Sequence, residues 1–254
     1  MDLPGAISAL SDSRDLTGEE MQEVVSIVMQ GEATPAQIGA FLTALHIKGE
    51  SVVELVAAAR VMRQFAAVVD VKATKVVDAV GTGGDGAGLF NVSTAAALVA
   101  AAQGSVLAKH GNRAATGNSG SADMLEAAGV NITLTPAQVT ETIDTVGIGF
   151  MFAPTHHGAI RHAVGPRREI GVRTLFNLLG PLTNPADAKY QLVGVFDHRW
   201  VRPIAEVFQN LGSVHTIVVH SEDGLDEISI AAPTSASELR NGEIVDYVIQ
   251  PEDF

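Results

Sequence analysis

The sequence predicts an α/β protein, with a small helical domain over residues 1–70 and a larger α/β domain over 71–254 built on a mainly parallel central sheet. Three observations predict it. The N-terminal part places apolar residues at helical spacing behind recognisable helix starts. From Val76 onward short β-branched runs alternate with helix-forming runs, the pattern of strand–helix–strand units. Several of those strands run straight into glycine-rich or charged loops, and ligands of open α/β sheets collect at that edge.

From Leu16 to Phe65 the chain reads as three helices. Thr17 with Glu20, Thr34 with Gln37 and Ser51 with Glu54 have the spacing of capping boxes, in which a hydroxyl and a carboxylate or amide satisfy reciprocal backbone N–H groups. The apolar sets are Met21, Val24, Val25 and Val28; Ile38, Phe41, Leu42 and Leu45; and Leu55, Ala59, Met62 and Phe65. Core packing by itself explains these stripes. Residues 68–75 are the expected crossing into the second domain.

The next stretch, Val76 to Asp123, organises the rest. Val76 to Val80 suits a buried strand, and Gly81-Thr82-Gly83-Gly84-Asp85-Gly86 follows, then Asn91-Val92-Ser93-Thr94 opening an alanine-rich helix. Glycines let backbone N–H groups approach an anion, and the helix start adds unpaired N–H groups and a positive dipole end. Glycine spacing alone serves a capped core helix equally well, and the loop fits neither the dinucleotide fingerprint nor the Walker pattern. The second unit tips the balance: Ser105 to Ala108 reads as a strand, Lys109-His110-Gly111-Asn112-Arg113 follows it, and Ser119-Gly120-Ser121 precedes another small-residue helix start ending in Asp123. Two neighbouring strand ends then carry anion-binding chemistry.

Farther on, Asn131 to Leu134 and Ile148 to Phe152 read as strands, and Thr135 to Gln138 as a capping box with proline at the first helical position. Ala153 to Gly158 is a polar strand end holding His156 and His157, which lack a third metal ligand at a recognised spacing. Arg161, Arg167, Arg168 and Arg173 form the most basic stretch, part solvated helix face and part candidate clamp, since an arginine holds a carboxylate through two parallel hydrogen bonds. Leu182-Thr183-Asn184-Pro185 reads as a structural turn. His215 to His220 reads as a strand leading to the acidic loop Ser221 to Glu227. On the residues alone Asp226 and Glu227 serve an acidic surface turn better than a metal.

Composition bounds the function. With 46% hydrophobic residues the protein has material for a real core. The N-terminus lacks a basic region followed by an apolar run, and Ala95 to Ala102 is too short to span a bilayer, so no export or membrane segment is expected. There is no cysteine, which removes disulfides and thiolate chemistry and agrees with a cytoplasmic location. A net charge of -13 opposes binding of nucleic acid, which depends on neutralising phosphates with Lys and Arg. Any phosphate site must be local, made of backbone amides, a few cations and a divalent metal.

The ordered set Gly81 to Asp85, Asn91 to Thr94, Lys109 to Arg113 and Ser119 to Asp123 resembles that of the anthranilate phosphoribosyltransferases. The resemblance implies a nucleoside phosphorylase/phosphoribosyltransferase type of fold, and transfer of a phosphoribosyl group from 5-phosphoribosyl 1-pyrophosphate (PRPP) to the amine of anthranilate in tryptophan biosynthesis. It implies donor contacts at Gly81, Thr82, Gly83, Gly84, Asp85, Asn91, Val92, Ser93, Thr94, Lys109, His110, Gly111, Asn112, Arg113, Ser119 and Ser121, and anthranilate contacts at Gly81, Asn112, His156 and Arg167. It implies Mg2+ at Ser93, Asp226 and Glu227, which reverses the surface-turn reading. It further implies a homodimer through the helical domain, and small-molecule partners rather than nucleic acid or membrane. No residue stands out as a general base. Leu89 and Thr116-Gly117-Asn118 depart from the family pattern, and the family is expected to continue beyond Phe254, so that the α/β domain is expected to be incomplete at its C-terminal end. Two rivals are a pyrimidine nucleoside phosphorylase and a noncatalytic nucleic-acid-binding relative. Lys109 to Asn112 and the Asp226-Glu227 pair disfavour the first, and the charge disfavours the second.

Overall fold

The computed structural model describes residues 1–83, 88–114 and 119–254. In sequence order the helices α1 (Leu3–Ser11), α2 (Gly18–Gln30), α3 (Pro35–Lys48) and α4 (Val52–Gln64) come first. There follow β1 (Val77–Gly81), α5 (Val92–Ala102), β2 (Leu107–Gly111), α6 (Ser121–Ala127), α7 (Pro136–Val146), β3 (Ile148–Phe152) and the single turn α8 (Ala153–His156). Next are α9 (Arg161–Ile170), α10 (Leu175–Leu182), β4 (Tyr190–Gly194), α11 (Val201–Asn210), β5 (His215–Ser221), β6 (Thr234–Arg240) and β7 (Glu243–Ile249).

The protein divides into two units, Met1–Ala66 with His157–Thr183 and Ala67–His156 with Asn184–Phe254. The sequence reading takes 71–254 as one α/β domain, whereas by its contacts the segment His157–Thr183 groups with the helical unit. The cause is apolar: α9 packs on α2 and α3, α10 packs on α3 and α4, and α10 buries Leu175, Phe176, Leu178, Leu179 and Leu182. Arg63 Nε seals the contact by donating to Leu182 O at 2.8 Å.

Within the helical unit, Thr17, Thr34 and Ser51 each accept from the backbone N–H three residues on, and Glu20, Gln37 and Glu54 close the boxes. All three helix starts lie where their capping signals put them. The sequence reading passed over α1, although Asp2 caps it and Pro4 lies in its first turn, a start signal in its own right.

The α/β unit carries a seven-stranded sheet in the order β3-β2-β1-β4-β5-β6-β7. The strands from β3 to β5 are mutually parallel, while β6 and β7 add an antiparallel edge. Its core gathers Val69, Val76, Ala108, Val139, Ile143, Met151 and Ala188. The strand expected over 131–134 is absent. Asn131 Oδ1 accepts from Thr133 N at 3.0 Å and from Thr133 Oγ1 at 2.9 Å, so a local Asx turn takes the backbone group that a ladder would have used. Ile132 is buried all the same, beside Ala122, Leu125 and Phe150.

Candidate active site

The strand order reverses between β1 and β4, because β2 and β3 extend to one side of β1 and β5 to the other side of β4. A parallel sheet opens a crevice at such a point, outside the C-terminal strand ends. Here those ends are Gly81 and Gly194, paired in register. Thr82 N donates to Gly194 O at 2.9 Å, and Thr82 Oγ1 accepts from Phe196 N at 3.0 Å, which fixes the start of the loop. Asp226 lies across both strand ends. Its Oδ2 accepts from Gly83 N at 2.8 Å, and a side chain at either Gly81 or Gly194 would collide with it. Gly83 turns with φ of 68°, a left-handed conformation that favours glycine. Gly84 and Asp85 lie outside the described residues.

One strand over, Lys109 is buried with 3% exposure in the middle of β2, inside the strand rather than in the loop after Ala108 as the sequence reading has it. Its Nζ donates to Ala79 O at 2.6 Å and to Ser93 Oγ at 3.2 Å, in the first turn of α5. Burial pushes its proton affinity down, opposed by the negative charges of Asp78 and Glu227. Asp78, wholly buried on β1, accepts from Asn184 Nδ2 at 2.7 Å and from His110 N at 3.3 Å. Burial raises its carboxyl to about 6, against the pull of Lys109 and of these hydrogen bonds. His110 is buried beside it.

Gly111 and Asn112 pack against the start of α6. Asn112 O accepts from Ala122 N at 3.2 Å and from Ser121 Oγ at 3.4 Å, and a side chain at Gly111 would strike Ser121 Oγ. Asp123 Oδ2 accepts from Ala114 N at 3.0 Å and Gly120 N at 2.9 Å, so one carboxylate holds both of these backbone groups; the two bonds hold its carboxyl below the ordinary range. Asn91 Nδ2 donates to Ser119 O at 3.1 Å, which joins the starts of α5 and α6.

Three expectations need adjustment. Asn91 makes no side-chain cap on α5, because its amide is engaged with Ser119. Thr94 faces inward: it is buried, and its hydroxyl has no hydrogen-bond partner among the described residues, so it is not open to the loop. Arg113 pairs with Asp123 at 3.0 Å and with Glu126 at 2.7 Å, and its guanidinium lies 5.6 Å from the Phe152 ring. The cation foreseen for the donor is thus held by two carboxylates. Thr116, Gly117 and Asn118, which depart from the family pattern, lie outside the described residues, whereas Leu89 is exposed.

The residues expected to meet the aromatic substrate fall in both units. Asn112 Oδ1 accepts from Arg113 N at 2.8 Å. His156 closes α8 with 1% exposure, its Nδ1 3.1 Å from Ala67 O, and burial lowers its proton affinity. In the helical unit, Arg167 of α9 is half-buried over the ring of Phe176 at 5.0 Å, and it has no carboxylate partner among the described residues. Burial lowers its pKa. A desolvated guanidinium without a counter-ion is prepared for an anionic group.

Among the described residues no three His, Cys, Asp or Glu side chains gather as a metal cage. Ser93, Asp226 and Glu227 fit magnesium in another way. All are hard oxygen donors, and Ser93 Oγ and Glu227 both act on Lys109 while Asp226 holds the glycine loop. Magnesium is commonly held by one or two carboxylates and completed by water and phosphate oxygens.

Sequence reasoning missed Asp78 and left Asn184 in a turn. A lone carboxylate inside an apolar strand run was the available signal, since aspartate is almost never fully buried without a partner.

Residues 73–254 match the family described as "Glycosyl transferase family, a/b domain", and residues 4–66 the "Glycosyl transferase family, helical bundle domain". The protein is 60% identical over 254 residues to the anthranilate phosphoribosyltransferase of Thioalkalivibrio sulfidiphilus, covering all of itself and 75% of that relative. It is 58% identical to that of Azotobacter vinelandii, covering 73% of it. Among solved structures, the Thermus thermophilus anthranilate phosphoribosyltransferase superposes with a TM-score of 0.91 at 46% identity, over 98% of this chain and 74% of that one. The Saccharomyces cerevisiae enzyme in complex with PRPP and Mg does so with a TM-score of 0.88 at 27% identity, over 98% of this chain and 73% of that one. These relatives support neither the nucleoside phosphorylase nor the nucleic-acid-binding reading.

Proposed function

The chain belongs to the anthranilate phosphoribosyltransferase family, and on that premise we propose a role for each group of its site. The reaction joins PRPP and anthranilate, giving N-(5-phosphoribosyl)anthranilate and pyrophosphate. The observation that carries the assignment is the meeting of the Gly81–Gly83 loop, Ser93, Lys109 and Asp226 around the strand ends at the switch point.

Charge management dominates this chemistry. The anthranilate amine attacks the anomeric carbon as the bond to pyrophosphate breaks, and negative charge accumulates on the departing oxygen. Backbone N–H groups of the glycine loop and the α5 start, with the Lys109 ammonium, stabilise that charge without reorganising. Ser93, Asp226 and Glu227 hold Mg2+, which when bound neutralises part of the diphosphate charge. Arg167 holds the anthranilate carboxylate and Asn112 orients the amine, so that the gain from proximity adds to that from electrostatics. The role of general base is left unassigned, because an aryl amine loses its proton late.

The same reading gives the helical unit a dimer interface. A groove of about 520 Å³ between α1 and α3, lined by Ile7, Leu10, Ala40, Ala44 and the exposed Ile47, supports it. No helix among the described residues is long and apolar enough to cross a membrane, in keeping with a cytoplasmic biosynthetic enzyme.

Anthranilate fluorescence tests the function, followed on mixing with PRPP with and without magnesium. The assay is run on this protein and on a version joined to the remaining quarter of the Thioalkalivibrio sulfidiphilus relative. Magnesium-dependent loss of fluorescence in either protein supports the assignment. Loss in neither overturns it.

A further inference from the structure

The ladder between β1 and β2 stops one rung early. Its register contains the pair Val77 and Leu107, and Val77 N donates to Val106 O at 2.9 Å. In a parallel ladder that register continues by pairing Ala79 N with Ala108 O and His110 N with Ala79 O. Side chains take those backbone groups instead. Ala108 O accepts from Asn184 Nδ2 at 2.9 Å, His110 N donates to Asp78 Oδ1, and Ala79 O accepts from Lys109 Nζ. Asn184 is itself fixed, for its Oδ1 accepts from Ala186 N at 2.8 Å and its Nδ2 also reaches Asp78.

Backbone groups in a dry sheet must find partners, so a rung is given up only where something equivalent replaces it. The replacement here costs the burial of a carboxylate and an ammonium, a costly exchange for two peptide hydrogen bonds. Core packing alone gives no reason for it. We propose that Asp78, with Asn184, is a positioning residue of the donor site: it replaces the last β1–β2 rung, and so fixes Lys109 between Ala79 O and Ser93 where the donor's anionic groups are received. It does not touch the donor; it acts through Lys109. The inference rests on the donor role of Lys109 given above.

Without Asp78, His110 N loses its acceptor, Asn184 Nδ2 keeps only Ala108 O, and the lysine loses one of the two negative charges that offset its burial. The rung can then re-form and displace Lys109 from its aim.

A double-mutant cycle tests this, with binding of PRPP in the presence of magnesium measured by calorimetry for the unaltered protein, Asp78→Asn, Lys109→Gln and the double variant. Circular dichroism reports folding. Each single substitution is expected to weaken donor binding by about tenfold or more, the scale of a hydrogen bond to a charged group. The double variant is expected to bind within about twofold of Lys109→Gln, because one pathway is then already cut. Full additivity would show that Asp78 acts independently of Lys109 and would overturn the inference, as would Asp78→Asn binding within about twofold of the unaltered protein. Unchanged binding by Lys109→Gln would remove the donor role of Lys109 and the inference with it, an outcome distinct from either of those. Should Asp78→Asn fail to fold, Asn184→Ser, which deletes the amide without changing charge, enters the same cycle under the same criteria.

Discussion

Among the described residues, Glu54 in the helical unit and Asp78 in the α/β unit are the acidic side chains with no exposure, and they differ in what their partners are. Glu54 in the helical unit accepts from Ser51 N at 2.8 Å, Leu16 N at 2.9 Å and Lys48 Nζ at 2.8 Å, and Lys48 is further paired with Asp15. Glu54 is the third residue of a capping box, so its burial completes a local motif and ties α4 to the loop before α2. Asp78 in the α/β unit belongs to no local motif, and its side-chain partner Asn184 stands 106 positions away. The first carboxylate holds the fold together; the second keeps two strands apart beside a lysine. Burial alone therefore says little about role, and the groups displaced by the carboxylate say more.

The comparison can be broken by mutation. Glu54→Ala has the largest expected effect, a loss of about 3–5 kcal/mol in denaturant unfolding, because a buried lysine and two backbone N–H groups lose a partner together. A loss below about 1 kcal/mol would reduce the network to an ordinary cap.

The pH dependence of stability sharpens the contrast from the other side. Asp78 has its carboxyl at about 6 in the fold against an ordinary 3.8. A raised value means that the stability contributed by the protonated form is fully present below the ordinary value and is lost as pH rises through about 6. The stability of the unaltered protein, measured relative to Asp78→Asn, should therefore fall by roughly 2–3 kcal/mol between pH 4 and pH 7. A flat difference over that window would show that burial does not burden this carboxylate.

Arg167→Ala is expected to raise the anthranilate KM by about tenfold while changing the donor KM by less than about twofold. Equal losses for both substrates would remove its assigned role. The smallest effect belongs to Thr34→Ala, about 1 kcal/mol of stability with donor binding unchanged, as fits a cap remote from the chemistry.

Legibility follows the same division. The capping residues Thr17, Thr34, Ser51 and Thr135 could be read directly, because each acts on N–H groups within its own first helical turn. The hairpin of β6 and β7 was equally readable at Asn241-Gly242, both with positive φ, yet the sequence reading ended at the acidic loop before it. The candidate site was legible as an ordered set of loops. What could not be read was which of their residues are already engaged: Arg113 by Asp123 and Glu126, Thr94 by burial, and Asn91 by Ser119.

By itself, the sequence determined the family, the two kinds of domain and the loops proposed above for the chemistry, since periodicity, caps and glycine loops act over a few residues. Only the tertiary structure decided that residues 157–183 return to the helical unit, that Asp226 crosses the ends of β1 and β4, and that Asp78 and Asn184 replace a rung of the sheet. The physical reason is range. A cap satisfies its own helix, but a buried strand end must be satisfied by whatever the packed fold brings to it, and sequence separation carries no record of that meeting.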